Sequence, residues 1–140
     1  MRYLLDTMVL SEARRRHPDR SVVAWLAATP EADLAISVLT LGEIERGVAL
    51  LADAVQRRRL RAWLEDGLRA RFEARVLGVD AEVAAIWGRT VGEAARRGRI
   101  VPTIDGLLVA TARRHGLTLV SRNVTDVEGL GVPVRNPWEG

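Results

Sequence analysis

The sequence predicts an α/β fold, a single domain on an open, mostly parallel sheet of four to five strands with helices on both faces. Three observations predict it. Short apolar runs alternate along the chain with longer stretches whose apolar residues recur at helical spacing. Strands separated by helices need crossover connections, which make neighbouring strands parallel. The 140 residues, 48 % hydrophobic and 28 % charged, contain no internal repeat, low-complexity tract or linker, so one compact domain spans 1–140.

The first strand is Tyr3 to Leu5, ending at Asp6, and a short helix follows from Thr7 to Arg15. After a loop at His17-Pro18-Asp19, Ser21 to Ala28 carries Val22, Val23, Trp25 and Leu26 at helical spacing and stops before Pro30. Leu34 to Ser37 is the second strand. Thr40 to Ala52 is a helix with Leu41, Ile44, Val48 and Leu51 in one stripe. Val55 to Phe72 repeats Leu60, Leu64 and Leu68 against arginines and acids, the pattern of one amphipathic helix. Val76 to Val79 is the third strand, and Ala81 to Arg97 a helix closed by Gly98. Pro102 opens a further helix that Gly116 closes. Leu117 to Ser121 is the fourth strand and Val132 to Val134 the fifth.

Composition removes several kinds of chemistry. No cysteine is present, which excludes thiol catalysis, iron–sulfur clusters and cysteine-ligated zinc. Only His17 and His115 are available as histidine ligands, and nothing in the order of elements brings the two together for zinc or for paired-histidine catalysis. Neither a signal peptide nor an uncharged apolar run long enough for a membrane span is found, so a soluble, cytoplasmic protein is expected, with no membrane partner. All 21 basic residues are arginine, against 18 acids, so the net charge of +3 is modest and clustering matters more. The clusters are Arg14, Arg15 and Arg16; Arg57, Arg58, Arg59 and Arg61; Arg96, Arg97 and Arg99; and Arg113 and Arg114.

Four candidate positions fall at one kind of place. Asp6 follows the first strand, Glu43 lies early in the helix after the second, Asp105 opens the helix before the fourth, and Asn123 with Asp126 follows the fourth. In open α/β sheets the carboxyl ends of the strands form the ligand crevice, so these side chains converge there. Each has a local alternative. Asp6 suits an N-cap, Thr40-Leu41-Gly42-Glu43 matches a capping box, and Asp105 suits a helix dipole. Together, three converging carboxylates repel one another unless a cation sits among them. Hard oxygen donors favour Mg²⁺ or Mn²⁺ over zinc, and such a site supports hydrolysis of a phosphodiester, with arginines holding the substrate backbone.

At these residues the sequence closely resembles the PIN-domain ribonucleases, specifically the VapC toxins of toxin–antitoxin pairs and their FitB-like branch. The resemblance is carried in order by Tyr3-Leu4-Leu5-Asp6-Thr7, by Ser37-Val38-Leu39-Thr40-Leu41-Gly42-Glu43, by Ile104-Asp105-Gly106-Leu107-Leu108, by Leu119-Val120-Ser121-Arg122-Asn123 and by Asn136-Pro137-Trp138. It implies a PIN-like domain and an Mg²⁺-dependent endoribonuclease in which Mn²⁺ can substitute. Asp6, Glu43 and Asp105 would be metal ligands and catalytic residues, Asn123 would take the fourth site position, and Thr7, Ser121 and Asp126 would support the cluster. It also implies an RNA substrate, a homodimer and a VapB-type antitoxin whose basic side chain fills the acidic pocket. Two positions depart from the family pattern: Met8 stands where the family usually has Asn, and Asn123 stands at the fourth acidic position.

Of the arginines, Arg14, Arg15, Arg16, Arg96, Arg97 and Arg99 lie near helix ends and are the candidates for RNA contact. Arg61, Glu65, Arg69 and Glu73 form an i, i+4 series, the pattern of an ion-paired solvated face. Trp25, Trp63 and Trp87 lie on apolar faces, as core or dimer contacts. Two other functions share such acids: a catalytically silent PIN-like protein that only binds a partner, and a phosphoacceptor signalling module. The module usually needs a lysine at its phosphate, and this chain has none.

Overall fold

The computed structural model describes all 140 residues. Five strands form one sheet in the order β3-β2-β1-β4-β5: β1 Tyr3–Leu5, β2 Leu34–Ser37, β3 Val76–Leu77, β4 Thr118–Val120 and β5 Val134–Arg135. Every pairing is parallel, with Leu4 opposite both Ala35 and Leu119, and Leu5 opposite Val120. All strand ends that lead into helices therefore open on one edge, as the alternation of elements requires.

The period of two in β1 sends consecutive leucines to opposite faces, and both are fully buried. Leu4 joins one core with Ala35, Leu108, Val109, Ala112 and Leu119. Leu5 joins the other with Val9, Ile36, Ile44, Leu64 and Phe72. Helices α1 Thr7–Arg14, α2 Arg20–Ala28 and α3 Val38–Leu50 cover the second core, together with α4 Ala54–Ala62 and α5 Arg69–Phe72. The pair α6 Ala81–Arg96 and α7 Thr103–His115 covers the first, and a single turn, α8 Val124–Val127, follows β4. No helix is long and apolar enough to cross a membrane.

Gly98 and Gly116 close α6 and α7 as expected. Gly98 has φ +80°, and the N–H groups of Gly98 and Arg99 donate to Ala95 and Ala94 carbonyls at 3.0 and 2.9 Å, the paired bonds of a Schellman ending. Gly106 permits the close approach of α7 to α6, since a Cβ there would stand 2.9 Å from Val91 Cγ2 and 3.1 Å from Trp87 Cδ1.

Four elements differ from the expected ones by more than one residue at an end or by an internal break. The third strand stops at Leu77, because Asp80 leaves the sheet to cap α6, accepting from Val83 N–H at 2.9 Å. The fifth begins later, at Val134, since Pro133 offers only its carbonyl, to Leu119 N–H. Helix α3 starts at Val38 rather than Thr40, because Ser37 is the cap and accepts from Leu39 N–H at 3.0 Å; no capping box forms. The stretch 55–72 is broken by a wide π-type turn over Trp63–Leu68. A strict four-residue repeat drifts by ~40° per step on an α-helix, and the wider turn returns Leu64, Leu68 and Phe72 to the core. Across that turn Arg61 pairs with Glu45 instead of Glu65, and only Arg69–Glu65, at 3.9 Å, survives from the expected charge series.

Candidate metal centre

Parallel pairing of β1 with β4 places the residues just beyond both strands side by side. Asp6 caps α1, its Oδ1 accepting from Met8 N–H at 3.4 Å, and its Oδ2 accepts from Ser121 Oγ–H at 2.8 Å. Ser121 Oγ also accepts from Asn123 N–H at 3.0 Å, so one buried hydroxyl ties the end of β4 to the first aspartate. Asp6 thus caps α1 through one oxygen and holds the end of β4 through the other.

From β2, helix α3 brings Thr40 and Glu43 towards α1. Thr7 Oγ1 stands 2.6 Å from Glu43 Oε1 and 3.1 Å from the buried hydroxyl of Thr40. The single Thr7 proton serves the carboxylate, the stronger acceptor, and holds an otherwise exposed glutamate. Asp105 enters from the first turn of α7, where the helix dipole favours an anion.

These side chains line one cavity of about 410 Å³, formed by Asp6, Thr7, Met8, Ser11, Glu43, Asp105 and Asn123 with Pro102, Thr103 and Ile104. Burial, and then the negative charges of Asp6, Asp126 and Glu43, push the Asp105 carboxyl up to about 6. Asp126 therefore acts on the cavity through its field, whereas Asn123 forms part of the wall. The donors fit a hard divalent cation: all are oxygens, and their negative charge is in excess. No three of the carboxylates are drawn together closely enough to hold one ion as they stand.

Ser11 is a contributor missed at the level of sequence. It lines the cavity, one helical turn after Thr7, and that i, i+4 spacing was the available signal. Met8 meets Asn123, whose Nδ2 donates to Met8 Sδ at 3.7 Å, so the two departures from the family pattern touch each other. The backbone of Met8 also reaches Asp6, its N–H donating to Oδ1 whatever the side chain.

The arginines separate into two groups. Arg14 and Arg15 line a second cavity, about 230 Å³, which shares Thr7, Ser11 and Glu43 with the first. Arg14 lies over the Trp63 ring at 5.1 Å, Arg15 donates to Glu12 at 3.0 Å, and Arg16 is exposed. Arg97 and Arg99 lie elsewhere, around a cavity of about 270 Å³ with Thr90 and Arg113, and Arg96 with Glu93 flanks it.

The family model for the PIN domain matches residues 3–125. "Toxin FitB" of Neisseria gonorrhoeae is 37% identical over 135 residues, 96% of this chain and 97% of that one. "VapC ribonuclease Y4jK" of Sinorhizobium fredii is 31% identical over 136 residues, covering 97% of both. The crystal structure of FitAcB from Neisseria gonorrhoeae superposes with a TM-score of 0.93 at 36% identity, covering 99% of each chain. A toxin–antitoxin complex from Klebsiella pneumoniae shares the fold at a TM-score of 0.67 and 26% identity, over 96% of this chain and 97% of that one. With the site motifs in order, the sheet order in place and the match running through nearly the whole chain, this protein belongs to the PIN-domain family.

Proposed function

We propose that this chain is a divalent-metal-dependent endoribonuclease that hydrolyses RNA phosphodiester bonds in the cytoplasm, as the toxin of a VapBC-type pair. The observation that supports it above all is the single cavity walled by Asp6, Glu43, Asp105 and Asn123, with Asp105 pushed up to about 6. Family members include a named toxin and a named ribonuclease. Mg²⁺ is the ion proposed, with Mn²⁺ able to substitute, held by Asp6, Glu43 and Asp105. When bound, such an ion lowers the pKa of water and neutralises charge on a phosphodiester in transit.

The protein's own groups do the positioning. Ser121 and the Met8 backbone fix both oxygens of Asp6, and Thr7 turns Glu43 inward. Asn123 offers a carbonyl oxygen from the cavity wall without adding charge. Arg14 and Arg15 border the cavity where an RNA backbone would pass. The partners proposed are RNA, a second copy of this chain and a small antitoxin presenting a cation to the acidic cavity.

RNA cleavage measured with Mg²⁺, with Mn²⁺ and with chelator tests this function. Cleavage should require the ion, and Asp6→Asn, Glu43→Gln and Asp105→Asn should each lower it beyond the ~10–100-fold that outer contacts are worth. Cleavage that persists in chelator would remove the metal from the mechanism. No cleavage under any condition, with a small partner still captured, would leave the silent binding protein.

A further inference from the structure

Arg99 belongs by sequence to a cluster suited to phosphate, yet its guanidinium is already engaged. It donates through one terminal nitrogen to Glu128 O at 2.8 Å and through the other to Thr125 O at 3.2 Å. Both carbonyls belong to the single turn α8 and its end, where a helix of four residues leaves its last carbonyls without intrahelical partners. That turn carries Asp126 and begins at Asn123. Its ends are tied by Asp126 N–H to Asn123 O at 3.1 Å and Glu128 N–H to Val124 O at 2.8 Å.

The other end of the link is rigid. Arg99 is the residue after Gly98 in the Schellman ending of α6, and its N–H donates to Ala94 O. Helix α6 in turn packs along α7, closely enough that Gly106 has no room for a side chain. Asp105 is the residue before Gly106. One side chain thus connects the α6–α7 pair that carries Asp105 to the turn that carries Asn123 and Asp126.

We propose that Arg99 is a positioning residue for the acidic cavity, a two-pronged brace that fixes the Asn123–Asp126 turn against the helix pair bearing Asp105. This rests on the proposed function for its consequence in metal binding, while the brace itself is a statement about the fold. The planar fork matters: a lysine keeps the charge but cannot span both carbonyls.

Arg99→Ala and Arg99→Lys, compared with the unchanged chain, test it in three measurements. Hydrogen exchange at the Asp126 and Glu128 amides should speed up in both variants. The Mn²⁺ concentration for half-saturation, followed by electron paramagnetic resonance without RNA, should rise about 10-fold in both. The salt dependence of RNA binding, measured in chelator, should keep its slope. Unchanged exchange in both variants overturns the brace, and faster exchange with unaltered Mn²⁺ affinity overturns the positioning role. A slope reduced by about 0.7 with metal binding intact, or full retention in Arg99→Lys, makes Arg99 a phosphate contact instead. Failure of the unchanged chain to bind Mn²⁺ counts against the proposed function, and the exchange measurement still decides whether Arg99 holds the turn.

Discussion

Ser121 Oγ–H donates to Asp6 Oδ2 at 2.8 Å in a buried contact that joins residues 115 positions apart. Both are shielded from solvent, Asp6 at 7% and Ser121 at 1% exposure, so the carboxylate depends on this donor more than an exposed one would. Ser121→Ala should lower stability by about 2 kcal/mol, the scale of a hydrogen bond to a charged group. It should also weaken divalent-ion binding ~10-fold. Urea unfolding and an ion titration check the two effects, and an unaltered ion affinity would make Ser121 a fold residue only.

Asp105 is destabilising when charged. Its folded-state pKa, raised from 3.8 to about 6 by burial and by Asp6, Asp126 and Glu43, means that the metal-free fold begins to lose stability above pH 3.8. The full loss is present above pH 6. Asp105→Asn should therefore raise the melting temperature of the metal-free protein at pH 7 to 8 by roughly 3–5 °C, allowing for solvent screening of a partly buried group. The gain should vanish at pH 3. A melting temperature lowered at pH 8 would contradict the repulsion.

Asn123 and Asp126 make different predictions because one lines the cavity and the other acts from outside it. Asn123→Asp adds a carboxylate to the wall, so it should tighten Mn²⁺ binding while lowering metal-free stability at neutral pH. Asp126→Asn should leave Mn²⁺ affinity within about 3-fold and bring the Asp105 titration down. NMR titration of Asp105 with Mn²⁺ binding measured in parallel separates them; a larger Mn²⁺ effect in Asp126→Asn would reverse the assignment.

Glu12, buried on α1, accepts from Asp19 N–H at 3.1 Å, from Arg15 and from the Trp138 indole. Burial acts to raise its pKa, but the Asp19 backbone, Arg15 and Trp138 outweigh it and hold the carboxyl below the ordinary 4.5. Its stabilising contribution is thus present above pH 4.5 and lost as pH falls through the lowered folded value. Glu12→Gln should melt at a lower temperature than the unchanged chain at pH 7, with the gap narrowing below pH 4. A gap independent of pH would mean that shape, not charge, is what α1 and the C-terminal turn need.

By itself the sequence determined the layered fold, since alternating apolar runs and helical stripes have few other parallel arrangements. It also put Asp6 and Asn123 just past strand ends, and Glu43 and Asp105 early in helices, around the crevice that topology opens. Gly98 and Gly116 marked two helix ends for the physical reason that their backbone needs positive φ. Local chemistry was less decisive wherever two neighbours compete for one role. Ser37 displaced Thr40 as the cap of α3, and a four-residue leucine repeat could not foretell the wide turn that keeps it facing inward. What only the tertiary structure decided are the contacts between distant segments. Ser121 meets Asp6, Thr7 meets Glu43, Asn123 meets Met8, and Arg99 spends its fork on Thr125 and Glu128. Such pairings depend on which strands lie side by side and how closely two helices approach, and no residue carries that information alone.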